Sequence, residues 1–533
     1  MHDDELPLFE QPEIRHRRWF LLAIMCLSVT MVVMAVSGLN VAIPSLQRDL
    51  EATATDLQWI VDSYAIVFAG LLLSAGAIGD RFGRKRALQA GLLVFGLGAA
   101  FGTFADDVPM VIAARVVMGV GAAFAMPATL SIVSAVFPPH ERAKAIAVWA
   151  GFAGAGGALG PLVVGFLLTE WWIFPAYWWG SAFLINVATV AVVLPAVTIW
   201  SPRSKDPDST PLDPLGAVLS IVGLTALVYG IIEGPVKGWS STEVIVSFVV
   251  ATVTLVGFVL WELRATHPML PMTYFGNRGF SLGSGVITFT FFVMFGFFFL
   301  MTQYLQFVRD YSPLEAGVAT LPLAVTLVAT SPRSASLAAR YGETNVIAVG
   351  FAFVVVGFGL LSQIDDVTPY VVLAVALVLL GAGMGVTVAP ATGSIMAAVP
   401  MGKAGVGSAV NDTTREVGGA LGIAVLGSVA NSVYRDEIDP GLLAELPSEA
   451  ADVVGESIGG ALLVAAQAPP EAADAAVVLA DEAKDAFVSA FTTTMGVSSL
   501  VALALGLTVF AIGRRGGSST TPDHSAAASV EAE

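Results

Sequence analysis

Residues 76–88 read GAIGDRFGRKRAL and lie between two long apolar runs. The stretch combines one acid, Asp80, with four bases: Arg81, Arg84, Lys85 and Arg86. An Arg or Lys at the centre of a bilayer costs about 2.5 to 3.5 kcal/mol, so this cluster is expected to be a short loop between two spanning helices. Because short loops rich in Lys and Arg stay on the cytoplasmic side, the stretch also predicts how the chain is threaded.

The composition is that of a polytopic helical membrane protein. Of the 533 residues, 56% are apolar and only 13% are charged, which lies outside the range of soluble domains. The single cysteine, Cys26, rules out an internal disulfide and a cysteine-ligated metal cluster. The sequence shows no nucleotide-binding loop, metal-ligand cluster or nucleophile constellation. Neither an enzyme, a metal site nor a nucleic-acid-binding protein is therefore expected.

Fourteen apolar segments meet the length of about 20 residues that a spanning helix needs. Six form an N-terminal bundle at 19–200, a polar linker at 201–213 follows, an inserted pair occupies 214–265, and six more form a C-terminal bundle at 279–513. The spans are predicted near 19–44, 58–79, 87–105, 109–137, 144–169, 177–200, 214–232, 244–265, 279–308, 313–337, 343–364, 368–399, 404–433 and 486–513.

The even number of spans places both chain ends in the cytoplasm. The ends are a tail at 1–18 and a tail at 514–533 that is expected to be disordered. Although the net charge is −17, most of the Lys and Arg residues fall in predicted cytoplasmic segments, which supports this threading. The long outer segment 434–485 is rich in acids. It is either an extracellular cap or cation-attracting vestibule, or a solvated, variable insertion.

The pattern in residues 76–86 resembles the loop between the second and third helices of the major facilitator superfamily. In that family the Asp and the following bases form a charge lock with neighbouring helix ends that holds one transport conformation. The resemblance implies these roles for a set of loop residues: Gly76, Asp80, Arg81, Gly83 and Arg84. A generic loop on the positive side of the membrane is the alternative.

The arrangement of six, two and six spans resembles the fourteen-helix drug/proton antiporter branch of that superfamily, which includes quaternary-ammonium and multidrug exporters. The resemblance implies two homologous bundles around an inserted helix pair. A weak internal repeat is visible, because residues 339–342 echo residues 80–83, with Ala339 in place of the acid. Repeats of this kind build a site at the midplane between two bundles.

Charged residues inside the spans are costly and are therefore candidates for function. There are five of them: Asp62, Arg115, Asp412, Arg415 and Glu416. Asp412 and Glu416 are four residues apart and share one helix face. Their mutual repulsion suits a group that alternately binds a proton and a competing cation. Alternatively, Arg415 or Arg115 neutralises them as a structural pair.

Two of these residues also lie in stretches with family counterparts. Asp62, in WIVDSYAIVFAGLLL, resembles an acid on the second helix of the fourteen-helix exporters that faces the cavity. Arg115, followed by Gly119, resembles the fourth-helix motif, which implies a role in proton coupling. The alternatives are that Asp62 caps its helix or stays hydrated, and that Arg115 forms a fixed ion pair with Asp62 or another acid.

The stretch GAGGALGPLVVG at 154–165 resembles the antiporter signature of the fifth helix. Gly156 and Gly160 permit close helix contact, and Pro161 removes a backbone donor and bends the helix. The run ends at Gly165, where the family pattern has two glycines. The resemblance implies a pliable hinge.

The first span departs from the family pattern. Relatives usually carry an acid about five residues before the Asn of an NVA-P segment, and this chain has Ala35 at that place before Asn40. Proton coupling would then rest on Asp62, Asp412 or Glu416, or the proton stoichiometry would be lower, or the substrate would not be a dication.

The sequence therefore predicts a proton-coupled exporter in the inner or plasma membrane that moves amphipathic, cationic small molecules by alternating access. It is expected to work as a monomer, with the proton gradient as its energy source and no cofactor. Phenylalanines crowd the span near 279–308 and would suit lipophilic substrates. An exporter dedicated to an endogenous lipid or secondary metabolite is one alternative, and a non-transporting membrane sensor is another.

Overall fold

The computed structural model describes residues 7–50, 52, 54–168, 178–204, 212–444, 446–469 and 472–515, and these residues are almost entirely helical. The helices are α1 (Pro12–Ser37), α2 (Leu39–Leu50), α3 (Ala54–Phe82), α4 (Arg84–Thr103), α5 (Val108–Val136), α6 (Pro139–Leu167), α7 (Ser181–Trp200), α8 (Pro214–Lys237), α9 (Thr242–Glu262), α10 (Arg278–Gln303), α11 (Pro313–Tyr341), α12 (Glu343–Leu361), α13 (Tyr370–Ala397), α14 (Ala404–Glu437), α15 (Pro440–Ala444), α16 (Ser448–Glu456), α17 (Ile458–Ala466) and α18 (Ala473–Arg515).

The number of membrane spans agrees with the sequence. Within the described ranges, thirteen helices are long and apolar enough to cross a membrane, and the bent α6 makes fourteen when its two parts are taken as one span. The predicted all-α membrane fold is confirmed. Residues 1–6 of the predicted tail, 205–211 of the linker and 516–533 of the last tail lie outside the described residues.

Helix ends differ from the prediction where charged residues continue a helix beyond the apolar core. Helix α1 begins at Pro12, inside the segment 1–18 that was assigned to the tail, and an ion pair of 2.8 Å between Arg17 and Glu13 supports its first turns. Helix α18 begins at Ala473 rather than near 486, which shortens the outer segment. These extensions are polar, so the length of the apolar stretches does not indicate them.

The spanning helices pack as two bundles. Helices α1 to α7 contact one another in the first bundle, and α10 to α14 with α18 do so in the second. Two antiparallel pairs carry most of the contact between bundles, namely α3 with α14 and α6 with α11. Any site between the bundles must therefore lie among these four helices and their neighbours.

The weak internal repeat has a structural counterpart in two glycine turns. Gly83, between α3 and α4, has a φ of 109°, and Gly342, between α11 and α12, has a φ of 83°. These conformations are readily adopted only by glycine. Each turn reverses the chain at the same point of its bundle, after the second span, as the echo between residues 80–83 and 339–342 predicts.

The inserted pair lies against the boundary between the bundles. Helix α8 packs on both α3 and α14, whereas α9 packs mainly on α8 and turns many apolar side chains outward. At the centre of this contact, Ile66 and Ala69 of α3 bury against Val228 of α8, with Val417 of α14 packed alongside. Gly70 approaches Thr225 so closely that a Cβ atom would not fit. The inserted pair thus covers the boundary between the bundles at which α3 meets α14.

The outer segment between α14 and α18 is folded onto the second bundle. It contains three short helices, α15, α16 and α17. The hydroxyl of Tyr434 donates a hydrogen bond of 3.1 Å to the carbonyl of Val454, and Val454, Ile458 and Ala461 are buried. The structure therefore packs part of this acidic segment as a cap on the second bundle, and its role as a vestibule remains a prediction.

The glycine-rich stretch of α6 packs tightly on α1 and bends. A Cβ atom at Gly160 would lie 2.7 Å from the backbone nitrogen of Gly38 and 2.9 Å from the carbonyl oxygen of Met34. Gly156 similarly faces Val33. Helix α6 bends by 47° between its parts Pro139–Gly157 and Leu159–Leu167. Pro161 lies close to this bend, and Gly165 is buried in the second part.

We predict that Gly160→Ala destabilises the protein, because the new methyl group would meet backbone atoms that cannot move aside. Overpacking of this kind costs about 1 to 3 kcal/mol. Gly157→Ala is the matched control, since a Cβ atom there has no neighbour within 4 Å. Thermal unfolding of the detergent-purified variants should show a lower midpoint for Gly160→Ala alone, and equal midpoints would contradict this packing.

Candidate functional site

Asp80, at the end of α3, joins the two bundles. Its Oδ1 atom accepts hydrogen bonds of 2.9 Å from the backbone N–H of Gly405 and 2.9 Å from Nε of Arg84, and its Oδ2 atom accepts one of 3.1 Å from the N–H of Val406. Gly405 and Val406 belong to the first turn of α14, whose N–H groups have no partner within the helix. Asp80 therefore caps a helix of the opposite bundle.

Arg84 extends this contact to a second segment of the C-terminal half. Its Nη2 atom donates hydrogen bonds of 2.5 Å to the carbonyl of Met401 and 3.1 Å to that of Gly402. Its own backbone N–H donates to the carbonyl of Ser204 in the linker, at 2.9 Å. Both Asp80 and Arg84 are buried, at 2% and 3% exposure, so the ion pair is shielded from water.

The remaining predicted lock residues shape this contact. Gly76 lies directly against α14, since a Cβ atom on it would come within 2.5 Å of the carbonyl oxygen of Gly405. Gly83 forms the turn with positive φ, and Arg81 lies near the ring of Phe82, at 5.5 Å. We call the contact of Asp80 and Arg84 with residues 401–406 the lock, and this end of the molecule the lock end.

Arg115 is a second buried charge, in the interior of the first bundle. Its exposure is 1%, and it donates hydrogen bonds to three backbone carbonyls: Ile60 at 3.0 Å, Ala35 at 3.0 Å and Val61 at 3.4 Å. Its guanidinium also lies over the ring of Tyr64, 4.3 Å from the centroid. The backbone at Ala35, the position at which the family resemblance led us to expect an acid, thus supplies an acceptor for Arg115.

Asp62 and Glu416 lie on opposite bundles at comparable depth. Counting 1.5 Å per helical residue from the contact of Gly76 with Gly405, Asp62 is about 21 Å from the lock end and Glu416 about 16 Å. Both are only partly buried. Asp62 acts electrostatically on Arg115, and Glu416 acts on Tyr64 across the boundary.

Asp412 is more enclosed than Glu416, although both lie on one face of α14. It has 0% exposure and accepts a hydrogen bond of 3.1 Å from the side-chain amide of Asn411, which in turn accepts one of 3.0 Å from the hydroxyl of Thr392. Its Oδ2 atom is buried without a hydrogen-bond partner among the described residues. The two carboxylates predicted together therefore differ in burial: Asp412 has no exposed surface, whereas Glu416 is partly exposed.

Arg415 lies between aromatic rings from both bundles. Its guanidinium carbon is 4.4 Å from the ring centroid of Phe291 on α10 and 5.8 Å from that of Trp149 on α6. It is 3% exposed and interacts electrostatically with Asp412 and Glu416. Within the described part of the chain, no ion pair shorter than 4 Å joins Arg415 to either carboxylate.

The phenylalanines of α10 divide into two groups. Phe291 and Phe297 are buried, at 3% and 1% exposure, whereas Phe289 and Phe299 are exposed, at 41% and 44%, on the outer surface. Only some of the phenylalanines in the span near 279–308 thus face the interior. Phe291 is the member that contacts a charged residue of the site.

Sequence reasoning missed two aromatic partners of the site. Tyr64 lies under Arg115 and donates a hydrogen bond of 3.2 Å to the carbonyl of Val32. Trp149 is fully buried, and its Nε1 atom donates a hydrogen bond of 3.0 Å to the hydroxyl of Thr129. Tyr64 could have been identified from the sequence, because it lies two residues from Asp62. No local pattern indicates Trp149.

A helical membrane protein with charged groups enclosed between two bundles has the architecture of a secondary transporter. Residues 25–423 match the family model of the Major Facilitator Superfamily, and the chain belongs to that family of transporters, as its loop motif predicted. The prediction that it is not an enzyme is confirmed by this membership.

Three relatives cover nearly the whole chain. The multidrug efflux pump LfrA of Mycolicibacterium smegmatis is 33% identical over 94% of this chain and 97% of its own length. The methyl viologen resistance protein SmvA of Salmonella typhimurium is 34% identical over 92% and 98%. The tetracenomycin C resistance and export protein of Streptomyces glaucescens is 30% identical over 95% and 94%.

Solved structures show the same fold at low sequence identity. The proton:xylose symporter XylE superposes with a TM-score of 0.57 over 93% of this chain and 96% of its own, at 11% identity. Such a likeness supports the fold and not the substrate. The major facilitator fold predicted from the sequence is confirmed.

We predict that Asp80→Asn loosens the lock, because Arg84 would stay buried without its counter-charge, at a cost of about 3 to 5 kcal/mol. The reporter is Ser408→Cys on α14, an isosteric change at a fully buried position, placed in a Cys26→Ala background. Labelling by N-ethylmaleimide in membranes should be several-fold faster with Asp80→Asn. Arg86→Gln, an exposed base of the same loop, is the control, and equal labelling rates in all three proteins would contradict the lock.

Proposed function

We propose that this protein is a proton-coupled exporter of amphipathic, cationic small molecules, embedded in the plasma membrane with both termini in the cytoplasm. The observation that carries the proposal is the pair of partly buried carboxylates, Asp62 on α3 and Glu416 on α14, which belong to opposite bundles and lie at comparable depth. An accessible carboxylate in a largely apolar interior attracts a cation. The names of the relatives, a multidrug efflux pump and a methyl viologen resistance protein, support the direction of transport.

The charge balance of the interior supports competition between a proton and a cation. The five charges found within the spans are three acids and two arginines, so the fully ionised set carries one net negative charge. One proton or one monovalent cation neutralises it. If binding of either disfavours binding of the other at the same carboxylates, inward proton movement drives outward movement of the cation. The electrochemical proton gradient is then a sufficient energy source.

The lock and the bent α6 supply the conformational part of the proposal. The lock closes one end by hydrogen bonds from the first bundle to the second, and these bonds must break for that end to open. The bend next to Pro161 offers a place where α6 can change shape while it remains packed on α1 and α11. Rocking of the bundles about this contact exposes the site to one side at a time.

Ala35 limits the number of protons that can be carried. The carbonyl of this residue already accepts a hydrogen bond from Arg115, and its side chain cannot bind a proton. We therefore assign coupling to Asp62, Asp412 and Glu416, with Arg115 placed to respond to the charge of Asp62. A monomer contains all of these groups.

The test is ethidium efflux from an efflux-deficient bacterial host that expresses this chain. We expect efflux that a protonophore abolishes, and a loss of at least about tenfold in Glu416→Gln and Asp62→Asn, because each removes a charge that the cation requires. The measurement is the initial rate of fluorescence decrease, normalised to the amount of protein in the membrane.

Asp452→Asn is the matched control, since it removes an exposed acid from α16 on the outer cap. It should leave the rate unchanged. If efflux in the wild type is absent despite good membrane expression, the cation-exporter proposal fails. If efflux persists in both carboxylate variants, the proposed site is wrong while the export function stands.

A second candidate is a dedicated exporter of an endogenous lipid or secondary metabolite. It is favoured by the relative named as a tetracenomycin C resistance and export protein. A neutral or anionic substrate that competes with ethidium, or that is transported when ethidium is not, would support this candidate. Transport that is unaffected by Glu416→Gln would fit it as well.

A further inference from the structure

Arg415 occupies a position that a cationic ligand would also favour. Its guanidinium lies over the face of Phe291 and near that of Trp149, at 4.4 and 5.8 Å from the ring centroids, which is within the range of a cation–π contact. Glu416 is the next residue in the chain, and Asp412 lies one turn before. Aromatic faces together with carboxylates are the groups that recognise a lipophilic cation.

The rings are fixed in place by contacts on both sides of the boundary. The hydrogen bond from Trp149 to Thr129 holds the indole within the first bundle. Phe291 packs against Phe295 on α10, with 5.9 Å between the ring centroids. The aromatic pair therefore exists as a site only when the bundles are close together, with Arg415 between them.

We propose that Arg415 is a built-in competitor of the cationic substrate: without substrate its guanidinium occupies the site formed by Trp149 and Phe291, and a bound organic cation takes its place. The proposal rests on the cation-exporter function above and adds a residue that sets affinity. With Arg415 in the site, the carboxylates face a positive charge even when no substrate is bound. With Arg415 present, the ionised groups within the spans carry one net negative charge when no substrate is bound, whereas without it they would carry two.

This role differs from that of a structural ion pair in a way that binding can measure. A structural Arg supports the site, so its removal weakens substrate binding. A competitor occupies the site, so its removal strengthens binding. Arg415 and the substrate compete for the same cation–π contact with the rings of Trp149 and Phe291. Removing Arg415 should therefore lower the Kd of the substrate by about threefold to tenfold.

The experiment measures ethidium binding to the full-length protein in nanodiscs by fluorescence, for the wild type, Arg415→Gln and Arg415→Lys. We expect a Kd about threefold to tenfold lower for Arg415→Gln. We also expect slower efflux per molecule, because the interior without substrate then carries a second uncompensated negative charge. Arg415→Lys keeps the charge and loses the flat face, so its Kd should fall between the other two. Arg333→Gln, an exposed residue of α11, is the control and should match the wild type.

An unchanged or weaker affinity in folded Arg415→Gln would overturn the proposal. If Arg415→Gln fails to fold, the Kd of Arg415→Lys decides in the same sense. Failure of both variants to fold would assign Arg415 to structure and also overturn the proposal. Absence of ethidium binding and efflux in the wild type would instead be a failure of the proposed cation-exporter function, and so the two failures are distinguishable.

Discussion

The capping of α14 by Asp80 is a buried polar contact that joins the two bundles at the lock end. A carboxylate from one bundle satisfies two N–H groups at the start of a helix in the other, and Arg84 neutralises it while binding the carbonyls just before that helix. Helix N-termini carry partial positive charge, so the acid is stabilised by the helix as well as by the Arg. Because both side chains are buried, water competes weakly for these bonds. The same helix, α14, then carries Asp412, Arg415 and Glu416 into the interior, which links the lock mechanically to the charged centre.

Much of this architecture could be predicted because membrane spans obey a simple rule of length and apolarity. The reversal of the chain within residues 76–88, the number of spans and the close packing at Gly160 all follow from local sequence, since each reflects what hydrocarbon or a tight backbone contact forbids. The structure confines that reversal to Gly83, because the charged residues on either side of it continue α3 and α4. The helix ends at Pro12 and Ala473 were missed, because polar residues outside the bilayer extend helices without a hydrophobic signal.

The candidate site was only partly predictable, for a different reason. Charges inside spans identified Asp62, Arg115, Asp412 and Glu416, but sequence does not say which of them is sealed and which is accessible. That distinction depends on side chains of other helices. The position of Trp149 against Arg415 and the use of the Ala35 carbonyl by Arg115 join segments far apart in the chain, and neither leaves a local pattern. Roles carried over from the family therefore do not describe the partners of these residues.

Helix α8 covers one of the two boundaries between the bundles, so that these boundaries differ in their surroundings. A transporter of two bundles alone would present two similar boundaries to the lipid, one at α3 with α14 and one at α6 with α11. Here the first boundary is covered by protein along α8, and α9 adds a further layer toward the bilayer. Along α8, protein therefore stands between the lipid tails and that boundary. Among the described residues, the inserted pair thus covers one of the two boundaries between the bundles and not the other. The two-fold repeat of the bundles alone would not produce this difference.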